Sequence, residues 1–311
     1  MRGLWFEDGQ VRLRTDVPRP KPTEGQSRVR VLQAGVCATD LALRGGYMGF
    51  SGVPGHEFVG VALDGPLEGE RVVGEINLAC GTCATCRAGL PRHCPTRTVL
   101  GILHHGGAFA EELVLPLENL HRVPDGVSDA AATFTEPLAA AFEIPEQVDV
   151  VGARALVVGD GRLGMLCAQV LARRGATVEV VGRHPDRARL TGQEIRWVAP
   201  PSAPEHDLVV EATGRPDVLQ QAMGWVRPRG TLVLKTTAES PAALDLAPLV
   251  VNEVTLVGSR CGPFSPALEL LASGEIDVEG MVDVRLPLER AAEALDQAAR
   301  PGVLKVLIQV S

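Results

Sequence analysis

The sequence predicts an α/β protein in which a doubly wound parallel sheet is joined to a β-rich domain. Short apolar runs alternate with helix-like spacing after about residue 138, and a glycine-rich turn follows the first of these runs. The earlier part of the chain instead carries short strand-like segments between Gly and Pro residues. A chain of 311 residues can form two domains, each with its own core.

The β-rich domain is predicted from segments that end at turn residues. The strand-like segments before about residue 135 are 28–33, 58–62, 71–75 and 112–115. They are too short and too frequently interrupted by Gly and Pro for helices of ordinary length. A compact domain of short strands is therefore expected here.

The parallel sheet is predicted from apolar runs that read as strands buried on both faces. These runs are 155–158, 177–181, 208–211 and 231–234, with a further strand at 254–257. Helical stretches then return at 267–273 and 288–299, and an apolar strand follows at 303–310. We therefore predict a parallel-sheet domain of residues 138–265, inserted into a β-rich domain of residues 1–137 with 266–311.

A Gly-x-Gly-x-x-Gly pattern lies between the strand 155–158 and the helix that begins at Leu163. Gly159 permits a tight turn, Gly161 lets the backbone approach a pyrophosphate, and Gly164 lets the helix pack closely on the sheet. The first N–H groups of the helix would face the phosphates. The sequence therefore predicts dinucleotide contacts at Gly159, Gly161, Leu163 and Gly164.

The residues after the second strand of the sheet bear on which nicotinamide cofactor binds. An NAD site usually ends this strand with an acid that binds the adenosine ribose. Here the strand 177–181 is followed by Gly182, Arg183 and His184, and the only acid expected nearby is Glu179, which lies inside the strand. A guanidinium suits a 2′-phosphate, so we predict NADP over NAD, with Arg183 reading the phosphate. The alternative is that Arg183 is a solvated loop residue.

Five of the seven cysteines lie between Cys37 and Cys94, and clustered cysteines in a reducing compartment indicate metal ligands before disulfides. Four of them, Cys80, Cys83, Cys86 and Cys94, form a Cys-x2-Cys-x2-Cys-x7-Cys loop. Four thiolates at this spacing can enclose a Zn²⁺ ion and leave no open position. The loop therefore predicts a structural zinc site.

A second set of candidate ligands is dispersed along the chain. Cys37 lies in Gly-Val-Cys-Ala-Thr-Asp, His56 and Glu57 lie in Gly-His-Glu, and Glu136 precedes Pro137 at the junction of the predicted domains. Each residue type can bind zinc, but none of these segments identifies a metal site when taken alone.

Read together, these segments resemble the zinc-dependent medium-chain dehydrogenase/reductase family, the alcohol and polyol dehydrogenases. The resemblance covers nearly the whole chain. It implies a β-rich GroES-like catalytic domain and a Rossmann-like nucleotide domain. The motifs that carry it, in order, are the segments around Cys37 and His56, the four-cysteine loop, Glu136-Pro137-Leu138, the glycine loop and Glu211-Ala212-Thr213-Gly214.

The resemblance also implies roles for the dispersed ligands. Cys37 and His56 match two ligands of a catalytic zinc. Glu136 matches the third protein ligand in the polyol and sugar branch, where typical alcohol dehydrogenases use cysteine. Glu57 matches an acid beside the metal that can join or leave its ligand shell.

Three further residues are assigned by the same resemblance. Thr39 matches the hydroxyl that starts a proton relay, and Asp40 matches the neighbour that holds the ligand histidine. Thr213 lies in a cofactor-contacting motif. A zinc with three protein ligands keeps one position for a substrate oxygen and acidifies an alcohol, whose hydride then passes to the nicotinamide.

The expected function is a zinc-dependent oxidoreductase that moves a hydride between NAD(P) and a polyol, sugar or other secondary alcohol. The alternatives are a zinc-independent quinone or enoyl reductase on the same fold and a non-enzymatic nucleotide-binding zinc protein. A net charge of −8 disfavours nucleic acid as a partner. No long apolar run predicts a membrane span, so we expect a cytoplasmic protein; the resemblance adds an expected homodimer or homotetramer.

Overall fold

The computed structural model describes residues 1–7, 9–192, 194–236 and 243–311. Its chain forms two compact units. The first contains Met1–Glu136, Ala267–Ala272 and Val278–Ser311, and the second contains Pro137–Pro266 and Ser273–Asp277. The sequence placed 1–137 and 266–311 together, whereas Pro137, Pro266 and Ser273–Asp277 lie in the second unit.

The strands are numbered in chain order. They are β1 (Gly3–Glu7), β2 (Gln10–Arg14), β3 (Gln26–Gly35), β4 (Glu57–Ala62), β5 (Arg71–Gly74), β6 (Asn77–Leu78), β7 (Thr98–Leu100), β8 (His104–His105), β9 (Glu112–Pro116), β10 (Leu120–Arg122), β11 (Arg154–Val158), β12 (Thr177–Val181), β13 (Arg196–Trp197), β14 (His206–Glu211), β15 (Val226–Leu234), β16 (Thr255–Gly258), β17 (Val282–Pro287) and β18 (Lys305–Gln309).

The helices are also numbered in chain order. They are α1 (Ala38–Arg44), α2 (Ala84–Arg87), α3 (Asp129–Thr133), α4 (Thr135–Gln147), α5 (Arg162–Arg173), α6 (Pro216–Met223), α7 (Ala247–Val251), α8 (Phe264–Ala272) and α9 (Ala291–Ala298). No helix in the described ranges is both long and apolar enough to cross a membrane.

The first unit is built on a mixed sheet with the strand order β10-β5-β4-β3-β18-β17, and β9 also pairs with β3. The chain leaves this sheet after β10 and returns to it with β17 and β18. Strand β18 pairs antiparallel with β3, opposite Gly35, and β4 flanks β3 on its other side. Gly35 of β3 is thereby flanked by β18 on one side and by the start of β4, next to the candidate ligands His56 and Glu57, on the other.

The second unit contains a parallel sheet with the order β13-β12-β11-β14-β15-β16. Strands β11 and β14 are almost wholly buried, as expected for strands covered on both faces. The order reverses at β11, so the turns after β11 and β14 meet at the carboxyl edge of the sheet, where α/β sheets bind ligands. The second unit is therefore a Rossmann-like α/β domain and the first unit is β-rich, as the sequence predicted.

Candidate functional site

The four cysteines of the predicted structural zinc loop converge in the first unit. Their sulfur atoms are 3.4 Å apart for Cys83 and Cys86, 3.6 Å for Cys80 and Cys94, 3.9 Å for Cys83 and Cys94, and 4.0 Å for Cys80 and Cys86. Four sulfurs bound tetrahedrally at a Zn–S distance of about 2.3 Å would be about 3.8 Å from each other. The sulfur geometry therefore fits a zinc ion and does not fit disulfides.

Backbone N–H groups favour thiolates within this loop. The amide of Cys86 donates to Sγ of Cys83 at 3.4 Å, and the amide of Cys80 donates to Sγ of Cys94 at 3.5 Å. Backbone donors lower the pKa of Cys80 to about 5. Burial, followed by the neighbouring Cys83 and Cys94 sulfurs, raises the pKa of Cys86 to about 12. Four thiolates this close together repel each other, so all four thiols are expected to ionise only when a cation is bound between them.

The second cluster forms where β3 ends and α1 begins. Cys37 is the N-cap residue of α1, and its backbone N–H donates to Oδ2 of Asp40 at 2.8 Å. Asp40 is wholly buried, and its other carboxylate oxygen faces Nδ1 of His56 at 3.4 Å. Asp40 therefore caps the helix that begins after Cys37. Because its carboxylate faces Nδ1 of His56, the other ring nitrogen, Nε2, is available to bind a metal.

His56 follows Pro54 and Gly55 directly before β4, and its side chain is buried. Gly55 has a φ of 97°, and a Cβ there would collide with the ring of Phe109. Burial disfavours the charged imidazole, but Asp40 and Cys37 outweigh it and raise the pKa of His56 well above its usual value. The site thus attracts positive charge, which a metal ion can supply in place of a proton.

Glu57 joins this cluster from the first residue of β4. The ligand atoms of Cys37, His56 and Glu57 all lie within 4.8 Å of one another. The Glu57 carboxylate also pairs with Nζ of Lys305, and both side chains are almost completely buried. Gly35 makes room for this carboxylate, because a Cβ on Gly35 would overlap it.

Lys305 is a site residue that sequence reasoning missed. Its ammonium lies 5.1 Å from the ring centroid of Phe134, and it opens the buried strand β18. A charged residue inside an apolar strand was the available signal, since buried lysines are almost always paired. The sequence could not identify Glu57 as its partner, which is 248 residues away.

Two other predicted residues are not members of the closest ligand group. Glu136 is half-buried in the first turn of α4, and among the described residues it is not a member of the group within 4.8 Å. Thr39 is half-buried in α1, with its hydroxyl 3.8 Å from Sγ of Cys37. The structure therefore brings Cys37, His56 and Glu57 together with Thr39 and Asp40 beside them.

The glycine loop of the second unit has the features expected of a phosphate cradle. Gly159 has a φ of 115°, and a Cβ on Gly164 would overlap the carbonyl oxygen of Gly159. A Cβ on Gly161 would instead point into open space. Helix α5 begins directly after Gly161 without a side-chain cap, which leaves its first N–H groups for an anion.

Thr213 lies beside this loop at the carboxyl end of β14. Its Cγ2 would be 3.0 Å from a Cβ on Gly159, and its backbone N–H donates to the buried Glu211 carboxylate at 2.6 Å. The Glu-Ala-Thr-Gly turn is thus fixed against the first glycine. Leu163, also a predicted contact, is half-buried in the first turn of α5.

The region after β12 contains an exposed Arg183, as the sequence suggested, but it also lies close to an acid that the sequence interpretation did not consider. Arg183 is exposed, and within the described ranges no hydrogen bond or ion pair engages its side chain. Glu179 is not the only acid nearby, however. Asp160, which lies between the first two glycines of the loop, contacts Gly182 and His184. The sequence missed it because residues 160 and 182 are distant along the chain.

Two family models match the chain. The alcohol dehydrogenase GroES-like domain matches residues 23–125, and an NAD(P)-binding family matches residues 147–244. D-altritol 5-dehydrogenase of Agrobacterium fabrum is 31% identical, over 98% of each chain. Sorbitol dehydrogenase of Halalkalibacterium halodurans is 26% identical, over 94% of this chain and 93% of the relative.

Solved structures resemble the whole chain as well. The alcohol dehydrogenase of Thermus sp. ATN1 is 29% identical, with a TM-score of 0.89 over 100% of both chains. A zinc-binding dehydrogenase of Sinorhizobium meliloti bound to NADP is 25% identical, with a TM-score of 0.89 over 99% of both chains. An alcohol dehydrogenase of Escherichia coli complexed with NADH is 26% identical, with a TM-score of 0.90 over 100% of this chain and 99% of the other.

Proposed function

Because the chain belongs to the zinc-dependent medium-chain dehydrogenase/reductase family and is an NAD(P)-dependent alcohol or polyol oxidoreductase, we propose that Cys37 and His56 hold its catalytic zinc. The observation that carries this proposal is the buried group of Cys37, His56 and Glu57, whose ligand atoms converge within 4.8 Å. The loop of Cys80, Cys83, Cys86 and Cys94 is proposed as a second, structural zinc site.

We further propose that Glu136 is the third protein ligand and that Glu57 is an exchangeable neighbour. Glu57 is already paired with Lys305, so its carboxylate is compensated without a metal. Glu136 lies in the first turn of α4 and belongs to the same unit as Cys37 and His56. A bound zinc would act as a Lewis acid toward the alcohol oxygen of a substrate.

Thr39 and Asp40 are proposed to have different roles in substrate oxidation. Thr39, whose hydroxyl lies beside Cys37, is proposed to start a proton relay: its oxygen accepts the alcohol proton as its own proton passes outward to solvent. Asp40 is a positioning residue, since it touches both the Cys37 amide and His56. The first unit is accordingly proposed as the catalytic domain and the second as the dinucleotide-binding domain.

The substrate is proposed to be a polyol, a sugar or a related secondary alcohol. A ligand set with a carboxylate is harder than one with a second thiolate and suits an oxygen-rich substrate. Relatives named for altritol and sorbitol support the same class. The clustered free thiols support a reducing, cytoplasmic compartment.

For the cofactor we propose NADP in preference to NAD. Gly182 carries no acid for the adenosine ribose, and the exposed Arg183 can meet a 2′-phosphate with its planar guanidinium. Removing Arg183 should weaken NADP binding by about 1.5–3 kcal/mol, the value of a hydrogen bond to a charged group.

A homodimer or homotetramer is also proposed. Strand β16 lies at the edge of the parallel sheet, and Leu256 within it is 48% exposed. Val250 and Val251 in the preceding helix α7 are also exposed, at 77% and 79%. An apolar edge of this kind is a template for pairing with a second copy.

The test of the catalytic proposal is turnover with bound zinc counted. Cys37→Ser and His56→Ala should each abolish turnover of a polyol substrate while calorimetry still detects NADP binding, because the glycine loop lies in the other unit. Cys261→Ser, which changes a cysteine outside both clusters, is the matched control and should retain activity and zinc. Full activity in both ligand variants would overturn the proposal.

A further inference from the structure

The end of strand β12 lies so close to the glycine loop that a side chain on Gly182 would overlap the side chain of Asp160. A Cβ placed on Gly182 would lie 2.6 Å from both Cγ and Oδ2 of Asp160. Carbon atoms do not approach each other so closely without bonding, so the Asp160 side chain fills the space in which a side chain at position 182 would begin. That position ordinarily supplies the acid of an NAD site.

The Asp160 side chain is held firmly in this place. Oδ2 accepts a hydrogen bond from the backbone N–H of His184 at 2.5 Å and lies 3.0 Å from the ring Nδ1 of His184. Arg187 donates to the backbone carbonyl of Asp160 at 2.6 Å. Asp160 and Arg187 are both buried, so the carboxylate has little freedom to turn away.

One carboxylate oxygen of Asp160 keeps acceptor capacity. Among the described residues Oδ1 accepts no hydrogen bond, and its one charged neighbour is the Arg187 guanidinium at 3.7 Å. An ionised carboxylate can accept about four hydrogen bonds in all. A hydroxyl donor can therefore still be bound at this oxygen.

We propose that Asp160 binds the 2′-hydroxyl of the adenosine ribose when the cofactor is NAD. The acid that strand β12 lacks is thus supplied by the glycine loop, and Gly182 is small because Asp160 occupies its side-chain space. This inference rests on the proposed function, since it requires that the loop bind a nicotinamide dinucleotide.

Asp160 and Arg183 then act in opposite directions on cofactor choice. A carboxylate attracts the 2′-hydroxyl of NAD and repels the 2′-phosphate of NADP, whereas a guanidinium attracts the phosphate. The balance between the two residues sets how strongly NADP is preferred, and it limits the preference that Arg183 alone would give.

The experiment is calorimetric binding of NAD⁺ and NADP⁺ to the full chain and its variants. Asn at position 160 keeps the shape of the side chain and an acceptor for the His184 amide but loses the charge. Asp160→Asn should raise the ratio Kd(NAD⁺)/Kd(NADP⁺) by about 10-fold or more, and Arg183→Ala should lower it. Asp186→Asn removes an exposed acid from the 3-10 helix Pro185–Leu190 that follows β12, and it should leave the ratio within about 2-fold.

An NAD⁺ analogue with 2′-deoxyadenosine separates ribose binding from loop stability. Asp160→Asn should bind this analogue as well as the unmodified protein does, because the hydroxyl partner is missing from both complexes. Equal losses for NAD⁺, NADP⁺ and the deoxy analogue would overturn the inference and reduce Asp160 to a loop support. Failure of the unmodified protein to bind either cofactor would instead contradict the proposed function.

Discussion

Replacing Lys305 with methionine tests whether the buried Glu57 carboxylate depends on one cation. Lys305 is wholly buried, and Glu57 is 1% exposed. Methionine has nearly the length of lysine and is apolar, so it can keep the contact with Phe134. The substitution therefore removes the charge of Lys305 with little change in packing.

The expected loss of stability is set by the Glu57 carboxylate, which stays buried after its cation is removed. A buried ion pair contributes little compared with a well-packed apolar pair, but removal of one partner leaves an uncompensated buried charge and costs about 3–5 kcal/mol. For a domain of about 150–250 residues, each kcal/mol lowers Tm by about 2–4 °C. Lys305→Met should therefore lower Tm by roughly 6–20 °C.

The assay is thermal and urea unfolding of zinc-loaded protein, with bound metal counted for each variant. Lys21→Met, at an exposed lysine, is the matched control and should change stability by less than about 0.5 kcal/mol. Adding Glu57→Gln to Lys305→Met should restore part of the loss, because the amide carries no charge. A Lys305→Met protein within about 1 kcal/mol of the parent, with its zinc content unchanged, would refute the reasoning.

Three other outcomes are expected. Cys83→Ser should leave the cysteine loop with three thiolates and lower stability by several kcal/mol, since structural zinc supplies about 10–16 kcal/mol of folding energy over four ligands; an unchanged Tm and metal content would contradict a structural site. Thr39→Val should keep zinc but slow turnover by about 10²–10⁴-fold, and Thr39→Ser should recover it; equal rates for both would remove Thr39 from proton transfer. Leu256→Lys should convert the oligomer to smaller species in light scattering, because a charge on an edge strand opposes pairing; an oligomer of unchanged size would place the interface elsewhere.

Most of the second unit could be predicted from local pattern. The run 177–181 is the observed β12, and the run 155–158 is β11 with Arg154 added. Buried parallel strands consist of continuous apolar residues, and the glycines that open α5 are needed for backbone reasons, so both features are written along the chain. The step after β12 is short and contains the 3-10 helix Pro185–Leu190 and the brief strand β13.

The two candidate metal sites also differ in how far the sequence alone predicted them. The four-cysteine loop closes within fifteen residues, so spacing alone determined which sulfurs can meet. Cys37 and His56 are brought together by the pairing of β3 with β4, and only the resemblance to a known family selected them beforehand.

The sequence by itself therefore determined the fold class, the glycine loop and the cysteine loop, because each depends on residues that are close along the chain. Tertiary structure alone placed Lys305 against Glu57 and Asp160 in the space beside Gly182. Those two contacts depend on the return of β18 to β3 and on the side-by-side pairing of β11 and β12. Neither leaves a periodic signal, because the partners are joined by the sheet and not by the chain between them.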